Sequence, residues 1–139
     1  MMIDRRELDD EAAVLMLEAA RAKALELGVP QNIAVVDAGG RLLAFRRMPG
    51  AKFLSVETAI AKAVSSASVA GPSGGASSEM GSLIGITTRG AFTNLKGGLP
   101  VMLDGHVAGA IGVGSGAPDE DVAVAQAGVD ALHEALATG

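Results

Sequence analysis

Apolar residues recur along the chain with two different periods, and the alternation between them sets out the elements. Over residues 9–28 Ala13, Met16, Ala20, Ala24 and Leu27 return every three or four positions, while Glu18, Arg21 and Glu26 fall elsewhere, which predicts a helix. Gly28 and Pro30 end it in the usual order. Asn32–Val36 is a continuous apolar run, Asp37-Ala38-Gly39-Gly40 is a tight-turn signal, and Arg41–Arg46 returns, so a β-hairpin is predicted. Helical spacing resumes from Lys52 to Ala70, with Val56, Ala59, Ala63 and Ala67 close to one face. Gly71–Ser78, rich in Gly, Ser and Pro, reads as a flexible flap, and Leu83–Thr88 as a short strand. Pro100–Leu103 and His106–Val113, joined by Asp104-Gly105, predict a second hairpin. Gly109 and Gly112 inside its second strand mark a close approach by another backbone or helix. A last helix starts near Pro118, helped by Asp119, Glu120 and Asp121, and carries Val122, Ala125, Val129, Leu132 and Leu136 as a narrow stripe.

Two hairpins interspersed with helices do not fit a doubly wound parallel sheet. The fold class expected is α+β, an antiparallel sheet covered by helices, in one domain over residues 1–139. Composition sharpens this. With 49% hydrophobic but only 2% aromatic residues, and no Trp or Tyr, the core must be built from Ala, Val, Leu, Ile and Met. A mean hydropathy of +0.37 on such a chain also suggests apolar surface hidden by self-association.

Charge and residue types then exclude several functions. A net charge of -5 lacks the basic footprint of a nucleic-acid binder. The absence of cysteine removes thiolate catalysis and Cys-based metal sites. The charged stretch Met1–Glu11 reads as neither a signal peptide nor an anchor, and no run reaches a membrane span, so the expected location is cytoplasmic. The two histidines, His106 and His133, have no metal-ligand spacing, and no metal site is expected. No Gly-x-Ser-x-Gly elbow accompanies the many serines.

Between Arg41 and Lys62 five basic residues face one acid, Glu57, whereas Asp119–Glu134 holds five acids and no Lys or Arg. A basic loop followed by a helix start is suited to a carboxylate or phosphate, Arg47 by its bidentate fork. The more ordinary reading of the same residues is as solvated surface charges or as interface partners of the acidic helix. Lys62, between Ala61 and Ala63, is placed for partial desolvation, the condition under which a lysine carries protons. Glu57, Arg89 and Asn94 are the other polar candidates of the middle region, each also readable as plain surface. The turn Gly97-Gly98-Leu99-Pro100 offers room for a small ligand beside the glycine string 112–116, which is not a phosphate loop because no Gly-Lys-Ser/Thr follows.

Several segments, taken in order, resemble one family. These are Ala34–Leu42 with Phe45 and Arg47-Met48-Pro49-Gly50-Ala51, then Ala59–Ala63, Gly97–Pro100, Gly109–Val113, and Asp121, Ala125 and Gly128. The family is GlcG/HbpS, also called the haem-degrading or DUF336 family, which includes the C-terminal domain of PduO-type proteins. The chain departs from its pattern at Pro49, where Asp is usual, and in the extra glycine of Gly112-Val113-Gly114-Ser115-Gly116. The resemblance implies a profilin-like, five-stranded antiparallel sheet flanked by helices, assembly from dimer to octamer, and a small-molecule ligand, with haem as a possible cofactor. Haem iron takes an axial His, Met, Cys or Tyr, which here leaves the histidines, chiefly His106, and the loop methionines Met48 and Met80. Two functions follow. One is a small-molecule-binding protein that takes haem or another planar or anionic metabolite between the flap and the helix beginning near Lys52, with Arg47, Met48, Arg89, Asn94, Gly97, Gly98, Pro100 and His106 as candidate ligand residues. The other is a cofactor-independent lyase or isomerase in which Lys62 and Glu57 move protons.

Overall fold

The computed structural model describes residues 1–139. In chain order its elements are helix α1 (Asp10–Leu27), strands β1 (Asn32–Asp37) and β2 (Leu42–Arg47), helices α2 (Ser55–Val69) and α3 (Ser78–Thr87), strands β3 (Gly98–Leu103) and β4 (His106–Gly114), and helix α4 (Pro118–Thr138). Local chemistry explains their limits. The Asp9 carboxylate accepts the N–H of Ala12 at the start of α1, and Gly28, at φ 71°, closes its end. Asp37 accepts the N–H groups of Gly39 and Arg41, which fixes the first hairpin turn. Asp104 and Gly105 both take positive φ (52° and 80°), as a two-residue hairpin turn requires.

The strands form one antiparallel sheet in the order β2-β1-β4-β3. β1 and β4 lie at its centre and are covered on both faces, which is why β1 is buried from Asn32 to Val36 without alternation. Ile33, Val35, Ile111 and Val113 face Met16, Ala20, Val124 and Leu132 of α1 and α4. Ala34, Val36 and Ala110 face Ala59, Ala63 and Ala67 of α2. The result is three layers, with α2 alone on one face.

α2 lies almost on the sheet backbone. A Cβ at Gly112 would sit 2.1 Å from the Ala59 carbonyl, and one at Gly98 2.3 Å from that of Lys62. The glycines expected to mark a close approach do so, and the alanines opposite them complete the contact.

The sheet has four strands, not five. Leu83–Thr88, expected to be a short strand, belongs to α3 through Thr87. Ser77 accepts the Met80 N–H as a helix cap, and the Ser82 and Thr87 hydroxyls donate to the Ser78 and Leu83 carbonyls one turn back. The segment expected to be a flexible flap is tied down at two points. The Ser73 hydroxyl donates to Leu95 O and accepts the Gly98 N–H, while Asn94 holds both the N–H and the carbonyl of Ala76.

Candidate functional site

The chain's one buried ion pair lies at the end of the sheet where β4 leads into α4. Lys62 leaves α2 toward the sheet, and its Nζ donates to Val113 O (2.7 Å) and to Asp121 Oδ2 (2.9 Å). The two side chains are 5% and 4% exposed. The other Asp121 oxygen accepts the Gly116 N–H at 3.0 Å. Gly97 makes room for the lysine stem: at φ 129°, any Cβ there would lie 2.6 Å from Val113 O and 3.0 Å from Lys62 Cδ. Burial raises the Asp121 pKa above its ordinary value, outweighing the hydrogen bond and charge of Lys62, the Gly116 N–H and the Gln31 amide, all of which pull it down. Gln31 is itself fully buried.

Lys62, Gly97 and Gly98 thus come together, but as a closed junction between α2, β3, β4 and α4. Pro100 lies within β3, opposite Ala110. Arg47 ends β2 opposite Asn32, which itself opposes Gly114, so Arg47 shares a sheet end with the Lys62 ammonium. Facing residues in an antiparallel pair share a face, and Ala34 two positions on faces α2, so Arg47 lies on the α2 side, about 10 Å (two strand spacings) away in the sheet. The two cations are nevertheless separated. Arg47 is exposed, whereas Lys62 is enclosed. The Lys52 backbone crosses this end of the sheet, accepting from Asn32 Nδ2 and donating to Ser115 Oγ. Arg46 turns to the opposite face and pairs with Glu18 of α1.

The other candidates are dispersed. Glu57 is exposed, on a different face of α2 from Lys62, and Arg89 is exposed just beyond α3 at φ 55°. Asn94 spends its amide on Ala76. His106 lies at the far end of the sheet, beside a cavity of about 440 Å³ shared with Arg5 and Ile3. No three His, Asp or Glu side chains gather as a metal site.

Met48 has a different setting. It is 6% exposed, packed into the α1/α4 core, and its N–H donates to Gln31 O. With Pro49 it forms the wall between two hollows. One, of about 330 Å³, is lined by Arg47, Gly50 and Ala51. The other, of about 420 Å³, runs along the end of α1 past Ala24, Leu25, Val29 and Pro30, with Arg21 at its edge. Arg21 and Asp121 were not singled out as site residues in the sequence. Asp121 carried a signal, since Val124 and Ala125, three and four positions on, are both core residues and place it on the buried face of α4.

Removing one partner of a buried pair strands the other charge. Lys62→Met is expected to destabilise the fold by about 3–5 kcal/mol, with Lys62→Met/Asp121→Leu recovering most of that loss; denaturant titration of both variants measures it. A second expectation concerns pH. Because folding raises the Asp121 pKa, the folded chain holds this proton more tightly than the unfolded one. The group's stabilising contribution is therefore complete below about pH 3.8 and is lost as pH rises through the raised folded value. Asp121→Asn should remove that downward slope from a plot of unfolding free energy against pH, and an unchanged slope would exclude Asp121 as its source.

A model of the family described as haem degrading protein HbpS-like matches residues 8–130. An uncharacterised 15.0 kDa protein from the dhaT–dhaS intergenic region of Citrobacter freundii is 34% identical over 128 residues, covering 88% of this chain and 90% of that one. Protein GlcG of Escherichia coli is 34% identical over 110 residues, 76% of this chain and 80% of its own. Among solved structures, Klebsiella pneumoniae ORFY superposes with a TM-score of 0.82 at 28% identity, over 96% of this chain and 97% of that one. A double mutant of Streptomyces reticuli HbpS gives 0.83 at 28%, over 93% and 89%. A PduOC:heme complex shares the fold at 0.78 and 24% identity, over 90% and 94%. With the family signature running through the sheet, α2 and α4, the chain belongs to the HbpS-like family.

Proposed function

We propose that this protein binds a small molecule with an apolar, planar body and an acidic edge, haem or a compound of that kind, at the Met48–Pro49 turn. The observation that carries the reading is the groove beside that turn, which combines an apolar floor with an arginine at its edge. Its volume of about 420 Å³ is that of a small-ligand site. The HbpS-like family description and the relative crystallised with haem support the ligand class. The groove's apolar side chains suit the face of a planar ring, and Met48 carries the one thioether among its lining residues. When bound, haem would supply its own redox and oxygen chemistry; the chain's part is to seat the ring and hold its acidic edge. The lyase or isomerase reading needs a reachable Lys62, and its ammonium is enclosed by Val113 and Asp121, so binding is preferred.

We further propose that copies of the chain associate through α3. Met80, Leu83 and Ile86 on it are 53%, 52% and 77% exposed, and no other helix or strand packs closely on it. A ten-residue helix is marginal in water by itself. The helix–sheet–helix layering also supports the profilin-like reading.

Titration with haemin is expected to give a saturable Soret shift at micromolar concentration, altered in Met48→Leu and unchanged in His106→Ala. Absence of a saturable shift would remove haem. Light scattering should give an oligomer that Leu83→Glu/Ile86→Glu reduces to smaller species; a monomeric wild type would contradict assembly.

A further inference from the structure

The groove along the end of α1 is lined by a single charged residue, Arg21. The chain forms four ion pairs, Arg6–Asp104, Lys23–Glu26, Arg46–Glu18 and Lys62–Asp121, and Arg21 is in none of them. It is partly buried, on a chain with an excess of acids. A guanidinium beside apolar surface with no carboxylate partner offers a fork of donors to an external anion. The rest of the groove offers little polar competition. Ala24, Leu25, Val29, Pro30, Met48 and Pro49 form its wall. The α1 carbonyls that would repel an anion are in part occupied, since Gly28 and Val29 donate to Leu25 O and Ala24 O. What repulsion the helix C-terminus retains pushes a negative group away from Gly28 and toward Arg21, nearly two turns back.

We infer that Arg21 is the anchor of this groove and that it selects ligands bearing a carboxylate on an apolar body, the body lying against Pro30, Met48 and Pro49. The inference rests on the small-molecule reading above and adds to it the residue that recognises the acidic edge. Arg47 does not share this role, because it lies across the Met48–Pro49 turn on the α2 side of the sheet.

Protoporphyrin IX and its dimethyl ester separate the two claims, since they differ in free carboxylates and neither needs an axial ligand. Porphyrin fluorescence should show wild type binding the acid at least tenfold more tightly than the ester. Arg21→Leu should abolish that preference with the thermal midpoint unchanged, and Arg21→Lys should restore part of it. If wild type binds acid and ester alike, or if Arg21→Leu keeps the preference, the anchor is overturned while ligand binding stands. If wild type binds neither, both claims fall.

Discussion

The buried contact between Lys62 and Asp121 ties the three layers together. α2 and α4 lie on opposite faces of the sheet, and Lys62 and Asp121 meet at its end, where the Val113 carbonyl accepts a second hydrogen bond from the lysine. Burial pushes the Asp121 pKa up against the pull of Lys62 and the Gly116 N–H, and taking two charges out of water is costly even when they are paired. The pair is therefore poorly explained as a source of stability. Its geometric consequence is to join α2 to the first turn of α4 at one point, which fits a single registry of α2 on the sheet. Asp121 also holds the Gly116 N–H, so the loop carrying the chain's extra glycine is fixed by the same group.

That registry has a steric counterpart. Gly112 and Gly98 let the α2 backbone approach so closely that any side chain there would overlap Ala59 O or Lys62 O. Alanine and glycine replace the aromatic residues the composition lacks, and close packing compensates for small side chains. The helix can slide neither along nor away from the strands without breaking the ion pair or opening a void.

Much of this was legible in the sequence. Both hairpins, α1, α2 and α4 followed from period and turn chemistry, and the strand glycines announced the close approach. The error at residues 83–88 came from β-branched content, which competes with helical spacing in a short segment and is overridden here by the Ser77 cap. The site was less legible because its residues depend on partners distant in sequence. Lys62 looked like a candidate proton carrier because its alanine neighbours predicted burial; the sequence did not disclose that Asp121, 59 positions on, already occupied it. Met48 was selected as a loop methionine and proves to be a core residue that also forms a wall of the groove.

The same packing determines where a ligand can lie. With the α2 backbone on the glycines of β3 and β4, no ligand-sized space exists between that helix and the central strands. The other face is filled by Met16, Ile33, Ile111 and Val124. Binding surface must therefore come from the rim, where elements end and side chains of neighbouring layers fail to interlock. The Met48–Pro49 turn is such a place: it leaves β2 beneath the end of α1, and Pro30 and Pro49, lacking N–H groups, present apolar surface with few competing donors. A ligand there would touch α1 and the β2 exit at once. The groove's floor would include Met48, whose N–H donates to the carbonyl of the fully buried Gln31.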